Sequence, residues 1–483
     1  MAQKSPERVY EAKLKEIDAQ IRRMPGAIGL RFDRATLLER LSRNDAAKAA
    51  YLEVLQKDPK HFGAINNLAM LLFKMGQRQE AFLLYAEAAE RHPDNAVAHA
   101  NLAFMFLKAN EPGRARDHYE RALALDPKDV EAQRGLAAVL TQQGERDAAR
   151  SLSGLGQSIV TLPYRGSGKP VTVLLMVTLG AGNVAAERLL DDRTFQVHKL
   201  TVELHALHTP LPAHDVIFNA IGDADEAQEA LAKATQIIAA SSAPVVNRPD
   251  VVLASGRAAN AKRLRGGPGV VVPAIDIIAR DLLAGPLGTA ALEARGFHLP
   301  VLLRSPGFHT GRHFSRIERS GELDAAVASL PGDNLLAIEY IDTRNALGEY
   351  TKYRVMYVNG EMHPLHMAIG HQWKVHYFSS DMADRSDHRE REAAFLSDME
   401  TALGHDAVAT LRRIGEALGL EYAGIDFAID GNGRIVVFEA NATMIVAMPA
   451  DEARWAYRRE PVERIYAAVR AMLLQRAAAT SAS

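Results

Sequence analysis

The sequence predicts an α plus α/β chain: an N-terminal α-solenoid, then an α/β region that opens with a parallel sheet. Three observations predict it. Alanine, tyrosine and proline recur at a fixed spacing through the first third of the chain. Apolar β-branched runs then alternate with helical stretches, the grammar of strand–helix–strand units. Near the C-terminus two β-rich runs flank Gly-Asn-Gly, and the second ends in polar residues where a core would be expected.

The chain has 483 residues, enough for two to four domains with proper cores. Its 57 Lys and Arg nearly balance 59 Asp and Glu, which gives no reason to expect a sequence-independent nucleic-acid binder. There is no cysteine, so disulfides, thiolate metal sites and a cysteine nucleophile are excluded. The opening residues are charged throughout, with no apolar signal-peptide core. The most apolar stretch, "VTVLLMVTLGAG", is too short to span a bilayer. A cytoplasmic protein with no membrane partner is expected.

In the first third, Pro59, Pro93 and Pro127 are spaced by 34, as are Tyr51, Tyr85 and Tyr119, and Ala47, Ala81, Ala115 and Ala149. Units begin near Ile28, Phe62, Ala96 and Val130. A helical hairpin with alanine at its close contacts cannot bury its own apolar face, and stacked copies build a shared core. The pattern resembles the tetratricopeptide repeat, whose helical groove holds extended peptides. That resemblance implies a peptide or protein partner. Asn67 and Asn101 share one register in successive units, as do Lys74 and Lys108. The amides are read as peptide-backbone contacts or as ordinary features of the repeat, the lysines as contacts to acidic side chains or as solvated cations.

The array is expected over 1–152. A Gly/Ser/Pro-rich linker is expected over 153–169. "VTVLLMVT" (171–178) and "HDVIFNAIGD" (214–223) read as buried strands, with a helix over Glu226–Ala240. Ligands of parallel sheets sit beyond the carboxyl ends of the strands, which makes Asn219, Gly222 and Asp223 a candidate rim.

The stretch "GIDFAIDGNGRIVVFEANATM" (424–444) predicts strands over Ile425–Asp430 and Arg434–Asn441. With Asn432-Gly433 as a two-residue turn, Gly431 faces Arg434 and Asp426 faces Glu439. Alternation puts Glu439 and Asn441 on one face. Asp426, Glu439 and Asn441 then form a patch of oxygen donors, read either as a Mg²⁺ site or as a solvated polar face. Upstream, "PVLLRSPGFHTGRHF" (300–314) delivers Arg304 from a strand into a loop with Gly307, His309, Gly311 and His313, an arrangement that can grip phosphates. "LLAIEYID" closes on Glu339, Ile341 and Asp342, and the next strand carries Lys352 and Arg354 on one face.

Together, residues 170–475 resemble the ATP-grasp superfamily of carboxylate–amine ligases, such as glutathione synthetase and D-alanine–D-alanine ligase. The signature of an Asp on one strand and Glu-x-Asn on the next matches Asp426, Glu439 and Asn441. The resemblance implies an ATP-grasp fold at 276–475, preceded by an α/β subdomain at 170–275 and followed by a disordered tail at 476–483. It implies ATP and Mg²⁺ as cofactors, the metal held by Asp426, Glu439 and Asn441. The base edge would lie at Glu339 and Ile341 and the ribose near Asp342. Two phosphate-gripping positions, usually Lys in the family, fall on Arg257 and Arg304, with Lys262 competing for the first. Arginine keeps the charge and binds phosphate bidentately. The implied reaction forms an acylphosphate and then a C–N bond, with Arg304, Arg354 and Lys352 as catalytic cations.

His363, His366, His371 and His376, with Trp373 and Lys374, fit no standard zinc spacing. They are read as the wall of a substrate pocket, as ordinary polar positions or as a metal site of unusual spacing. Three functions compete: a ligase acting on a peptide, a phosphotransferase without ligation, and a repeat scaffold with an inactive or regulatory nucleotide domain.

Overall fold

Residues 6–480 are described by a computed structural model, apart from 42, 110, 144, 146, 147, 150, 151, 153–157, 181, 307–312, 376–379, 450 and 451. The chain divides into two units, Met1–Gly156 and Gln157–Ser483. Each is described by itself.

The first unit is helical: α1 (Pro6–Arg23), α2 (Ile28–Arg40), α3 (Asn44–Lys57), α4 (Phe62–Lys74), α5 (Arg78–Arg91), α6 (Ala96–Lys108), α7 (Pro112–Leu125) and α8 (Val130–Gln142). Helices start at Ile28, Phe62, Ala96 and Val130, where the units were expected. The repeat also carries the helix caps. His61, Asn95 and Asp129, spaced by 34, each accept a backbone N–H of the helix that follows. Ala47, Ala81 and Ala115 are fully buried at helix crossings. Tyr51, Tyr85 and Tyr119 fill the space between hairpins. Gly135 exists for the same reason: a Cβ there would lie 2.1 Å from the Tyr119 ring.

The second unit holds three sheets. The first is β1 (Ile159–Thr161), β2 (Val171–Val177), β3 (Phe195–Thr201), β4 (Val216–Asn219) and β5 (Val245–Val246), in the order β1-β3-β2-β4-β5. All neighbours are parallel except β1, which runs antiparallel on the β3 edge. The parallel sheet was expected; the strand at 159–161, inside the expected linker, was not. Its β-branched residues Ile159, Val160 and Thr161 pair with Leu200, Lys199 and His198.

The second sheet is antiparallel: β7 (Ile275–Ala279), β8 (Val301–Arg304), β9 (Phe314–Ile317) and β10 (Asn334–Glu339), in the order β7-β10-β8-β9. The third has the order β12-β11-β13-β14-β6, from β6 (Val270–Val271), β11 (Tyr350–Val358), β12 (Glu361–Gly370), β13 (Tyr422–Ile429) and β14 (Ile435–Asn441).

The cores divide this unit otherwise than the expected boundary at 275. Leu174 and Met176 of β2 share one core with Val355, Ile425 and Phe427 of the third sheet. Val173 and Phe218 share another with Met356, Tyr422 and the Arg459–Thr480 helix, through Val462, Ile465 and Val469. The four-stranded sheet has a core of its own around Leu303, Leu335 and Ala337. The first and third sheets are thus one body, with 275–339 inserted between their segments. The C-terminal helix runs to Thr480, so the tail expected to be disordered from 476 is helical that far.

The β13–β14 hairpin differs from expectation at its tip. Asp430 N–H donates to Arg434 O, and Ile429 faces Ile435, so the loop is Gly431-Asn432-Gly433. Gly433 has φ +76°, where a side chain would be strained. Asp430 Oδ1 holds the loop by accepting from Asn432 and Arg434 N–H. A bulge then intervenes: Phe427 faces Val437 but Asp426 faces Glu439, leaving Phe438 exposed and unopposed. The loop is one residue longer than expected, the bulge adds one, and the expected Asp426–Glu439 opposition is restored.

Candidate functional site

One face of the third sheet gathers the polar residues. Arg354 on β11 lies opposite Asp426 on β13, and Asp426 lies opposite Glu439 on β14. Lys352 shares the face of Arg354 because strand side chains alternate. Asp426 is 1% exposed. Arg354 Nε donates to its Oδ1 at 2.5 Å and a terminal guanidinium nitrogen to its Oδ2 at 2.8 Å. Lys352 Nζ lies 2.5 Å from the same Oδ2. Burial alone would push this carboxyl up, but Lys352 and Arg354 overcome it and hold the group well below the usual carboxylate range.

Glu439 and Asn441 are half-buried beside it, with Asn441 Nδ2 donating to Glu439 Oε1 at 2.9 Å. Thr443 orients the amide by donating its N–H and hydroxyl to Asn441 Oδ1. Arg257 approaches Glu439 Oε1 at 3.7 Å. It begins the Arg257–Leu264 helix, and its N–H donates to Asp225 Oδ2. Arg304, at the end of β8, completes the group. Its guanidinium pKa is lowered by burial and by Arg257, an effect that Glu439 partly offsets. Four cations thus face two carboxylates.

His366 on β12 lies opposite Arg354. Burial first, then Arg354, hold its imidazole well below the usual range, so the ring is neutral at pH 7. His363, beyond a register shift, lies opposite Met356, and burial lowers its pKa while Glu361 opposes the shift. His371 and Lys374 are exposed, and Trp373 is half-buried against Phe314 of β9. Gly307, His309, Gly311 and His376 lie outside the described residues.

The expected base-side residues sit at the other end of the β8–β10 pair. Glu339 faces Val301 whereas Arg304 faces Leu336, an offset of three residues or about 10 Å. Glu339 accepts from Ala274 N–H at 2.9 Å. Ile341 is half-buried, and Asp342 is exposed and paired with Arg344. Lys262 is exposed one turn into its helix and is not part of the cluster. Asn219 is the last residue of β4, and it is fully buried and bonds to Ile221 and Asn247 backbone. Gly222 lets the backbone of Ala442 pass, where a Cβ would lie 2.7 Å from its carbonyl oxygen. Asp223 accepts from Asp225 and Glu226 N–H.

Sequence reasoning missed Asp225, Thr443 and Phe314. Thr443 had a signal, a hydroxyl two residues after an Asn. The capture of Asp426 by both cations had none, because it depends on β11 and β13 being neighbours. Among the described residues, no group of three or more His, Cys, Asp or Glu side chains is arranged for a metal ion. The donor trio differs in including an amide.

In the helical unit, Asn67 Nδ2 donates to Tyr51 Oη, and Asn101 Nδ2 to Asn66 Oδ1 at 2.6 Å. Both amides therefore bond within the array. Lys74 pairs with Glu39, and Lys108 lies over the Phe104 ring. Tetratricopeptide-repeat family models match residues 32–96 and 106–152. The N-terminal region carries tetratricopeptide repeats. Similar solved structures include MamA (41-end) from Desulfovibrio magneticus RS-1, 18% identical over 30% of this chain and 81% of that one, TM-score 0.27. YrrB, described as a tetratricopeptide-repeat protein with an unusual peptide-binding site, is 21% identical over 29% and 72%, TM-score 0.27. PilF of Pseudomonas aeruginosa is 19% identical over 31% and 72%, TM-score 0.28. No curated protein sequence matches the chain. Among the described residues, no helix is long and apolar enough to cross a membrane.

Proposed function

We propose that the chain is a cytoplasmic ATP-dependent ligase of the ATP-grasp kind. It activates a carboxylate as an acylphosphate and joins it to an amine or related nucleophile on a peptide or protein recruited by the tetratricopeptide repeats. The observation that supports this is one cluster of Arg257, Arg304, Lys352, Arg354, Asp426, Glu439 and Asn441, with Arg304 contributed by the four-stranded sheet and Lys352, Arg354, Asp426, Glu439 and Asn441 by the five-stranded one. An excess of cations over carboxylates suits a polyphosphate. The base-side residues at the far end of β10 stand at a distance that suits a nucleotide laid along the four-stranded sheet.

The donor chemistry fits Mg²⁺ at Glu439 and Asn441, two half-exposed oxygen donors on one face. Asp426 would be the third donor, and in this structure both of its oxygens are held by Arg354 and Oδ2 by Lys352 as well. When bound, the ion supplies neutralisation of phosphate charge. In the reaction, a substrate carboxylate oxygen bonds to the γ-phosphorus while its bond to the ADP oxygen breaks. The nucleophile's lone pair then attacks the acyl carbon, the carbon–oxygen bond to phosphate breaks, and phosphate and a proton leave. Arg257 and Arg304 hold the phosphates. Arg354, fixed in orientation by Asp426, faces the oxyanion of the second step. Neither step requires a side-chain nucleophile.

One observation favours a second reading. With Asp426 enclosed by two cations, a scaffold whose nucleotide domain binds without turning over is also consistent. The test is a melting titration with Mg-ATP, followed by measurement of ADP release. At a hundred times Kd, binding should stabilise the protein by about 2.7 kcal/mol. Glu439→Gln should lose the Mg²⁺-dependent part of the shift. An unchanged shift in that variant sinks the metal assignment. No shift in the wild type sinks the nucleotide reading, and binding with no ADP release under any carboxylate and amine supplied favours the scaffold.

A further inference from the structure

Arg304 is carried by the four-stranded sheet, whereas Asp426, Glu439, Lys352 and Arg354 are carried by the third sheet and Arg257 by the helix that it begins. The neighbour of Arg304 in register is Phe314: the two stand opposite each other where β8 ends and β9 begins. The Arg304 guanidinium carbon lies 5.8 Å from the centre of the Phe314 ring. Phe314 also meets Trp373 edge to face, with ring centres 5.1 Å apart at 76°. Trp373 belongs to the turn that follows β12, on the sheet that carries His366, Lys352 and Asp426. The ring pair therefore joins the two sheets beside the cation cluster. A guanidinium with a like-charged neighbour, Arg257, needs such a restraint more than most.

We infer that Phe314 and Trp373 form an aromatic clasp between the two sheets and act as positioning residues that hold Arg304 toward a bound polyphosphate. This rests on the nucleotide reading above. Neither ring touches the reacting atoms. They fix the distance between the sheet that brings Arg304 and the face that brings Asp426 and Glu439. Losing the clasp leaves the charge of Arg304 in place but removes the ring that its guanidinium lies against.

The chain has two tryptophans, Trp373 and Trp455. A Trp455→Phe background makes Trp373 the sole tryptophan, and excitation at the red edge of the absorption band selects it over the tyrosines. Phe314→Ala in that background should shift Trp373 emission to the red without any nucleotide, which tests the contact alone. By calorimetry, Mg-ATP should bind Phe314→Ala about three- to tenfold more weakly than its parent. Phe314→Tyr and Trp373→Phe, which keep a ring, should restore most of the affinity. In an Arg304→Ala background the Phe314→Ala loss should vanish, because the clasp acts through Arg304. An unshifted emission overturns the clasp. A full additional loss in the Arg304→Ala background overturns its action through Arg304. If the parent binds no Mg-ATP, the nucleotide reading fails and this role fails with it. If the parent binds and every clasp variant binds equally, only the clasp fails.

Discussion

Asp426 is a fully desolvated carboxylate bonded by two cations at once, so the native state depends on its charge. Removing one partner of a buried pair costs about 3–5 kcal/mol because the other charges stay behind. Asp426→Asn, which strands Lys352 and Arg354, should lose about that much at pH 7. The folded pKa lies below the unfolded value of about 3.9, so the stabilisation is complete above that pH. It is lost as pH falls through the folded value. Melting curves of wild type and Asp426→Asn should therefore stay apart down to about pH 4 and converge below it. A gap of constant size at every pH would show that the loss is steric and not ionic. Lys352→Met should preserve more stability than Asp426→Asn, because Arg354 still pairs with the carboxylate.

At the level of elements, legibility followed periodicity. The helix starts at Ile28, Phe62, Ala96 and Val130 were readable because one spacing encodes caps, crossings and turns together. The same spacing predicts a cost. Gly135→Ala drives a methyl into the Tyr119 ring and should destabilise the helical unit by about 1–3 kcal/mol, whereas Gly113→Ala, with open space around it, should not. Denaturant titration of the two variants checks this. The β13–β14 hairpin was legible at its functional end and misread at its tip. A Gly-Asn-Gly stretch supports both a two-residue and a three-residue loop, and nothing in "RIVVFEAN" marks Phe438 as the bulge. Expected members of the cluster were each recognisable as charged or amide residue types interrupting or flanking apolar runs. Their mutual contacts were not, because β11 neighbours β13 across about seventy residues of chain and only the sheet order brings Arg354 onto Asp426. The strand at 159–161 was hidden by the Gly, Ser and Pro residues around it.

On the scale of the whole molecule, the two units should behave as separate cooperative bodies. Residues 158–483 alone should melt in one transition and keep the Mg-ATP response, while residues 6–152 alone should melt without one. A fragment that starts at Gly168 removes β1 and bares the β3 edge, so it should melt earlier than one that starts at Ser158. Calorimetry of the three fragments decides. Equal melting for the Ser158 and Gly168 starts would make β1 a passive passenger. The shared cores of the first and third sheets have a further consequence for how the protein is made. Val173 and Phe218 are buried against Val462, Ile465 and Val469, which leave the ribosome long after them. The helical repeats can close as they emerge, since each contacts only its neighbour. The parallel sheet cannot finish its core until the Arg459–Thr480 helix has emerged. A message that stops before Arg459 would yield a nascent chain carrying every residue of the cation cluster and no folded body to hold it.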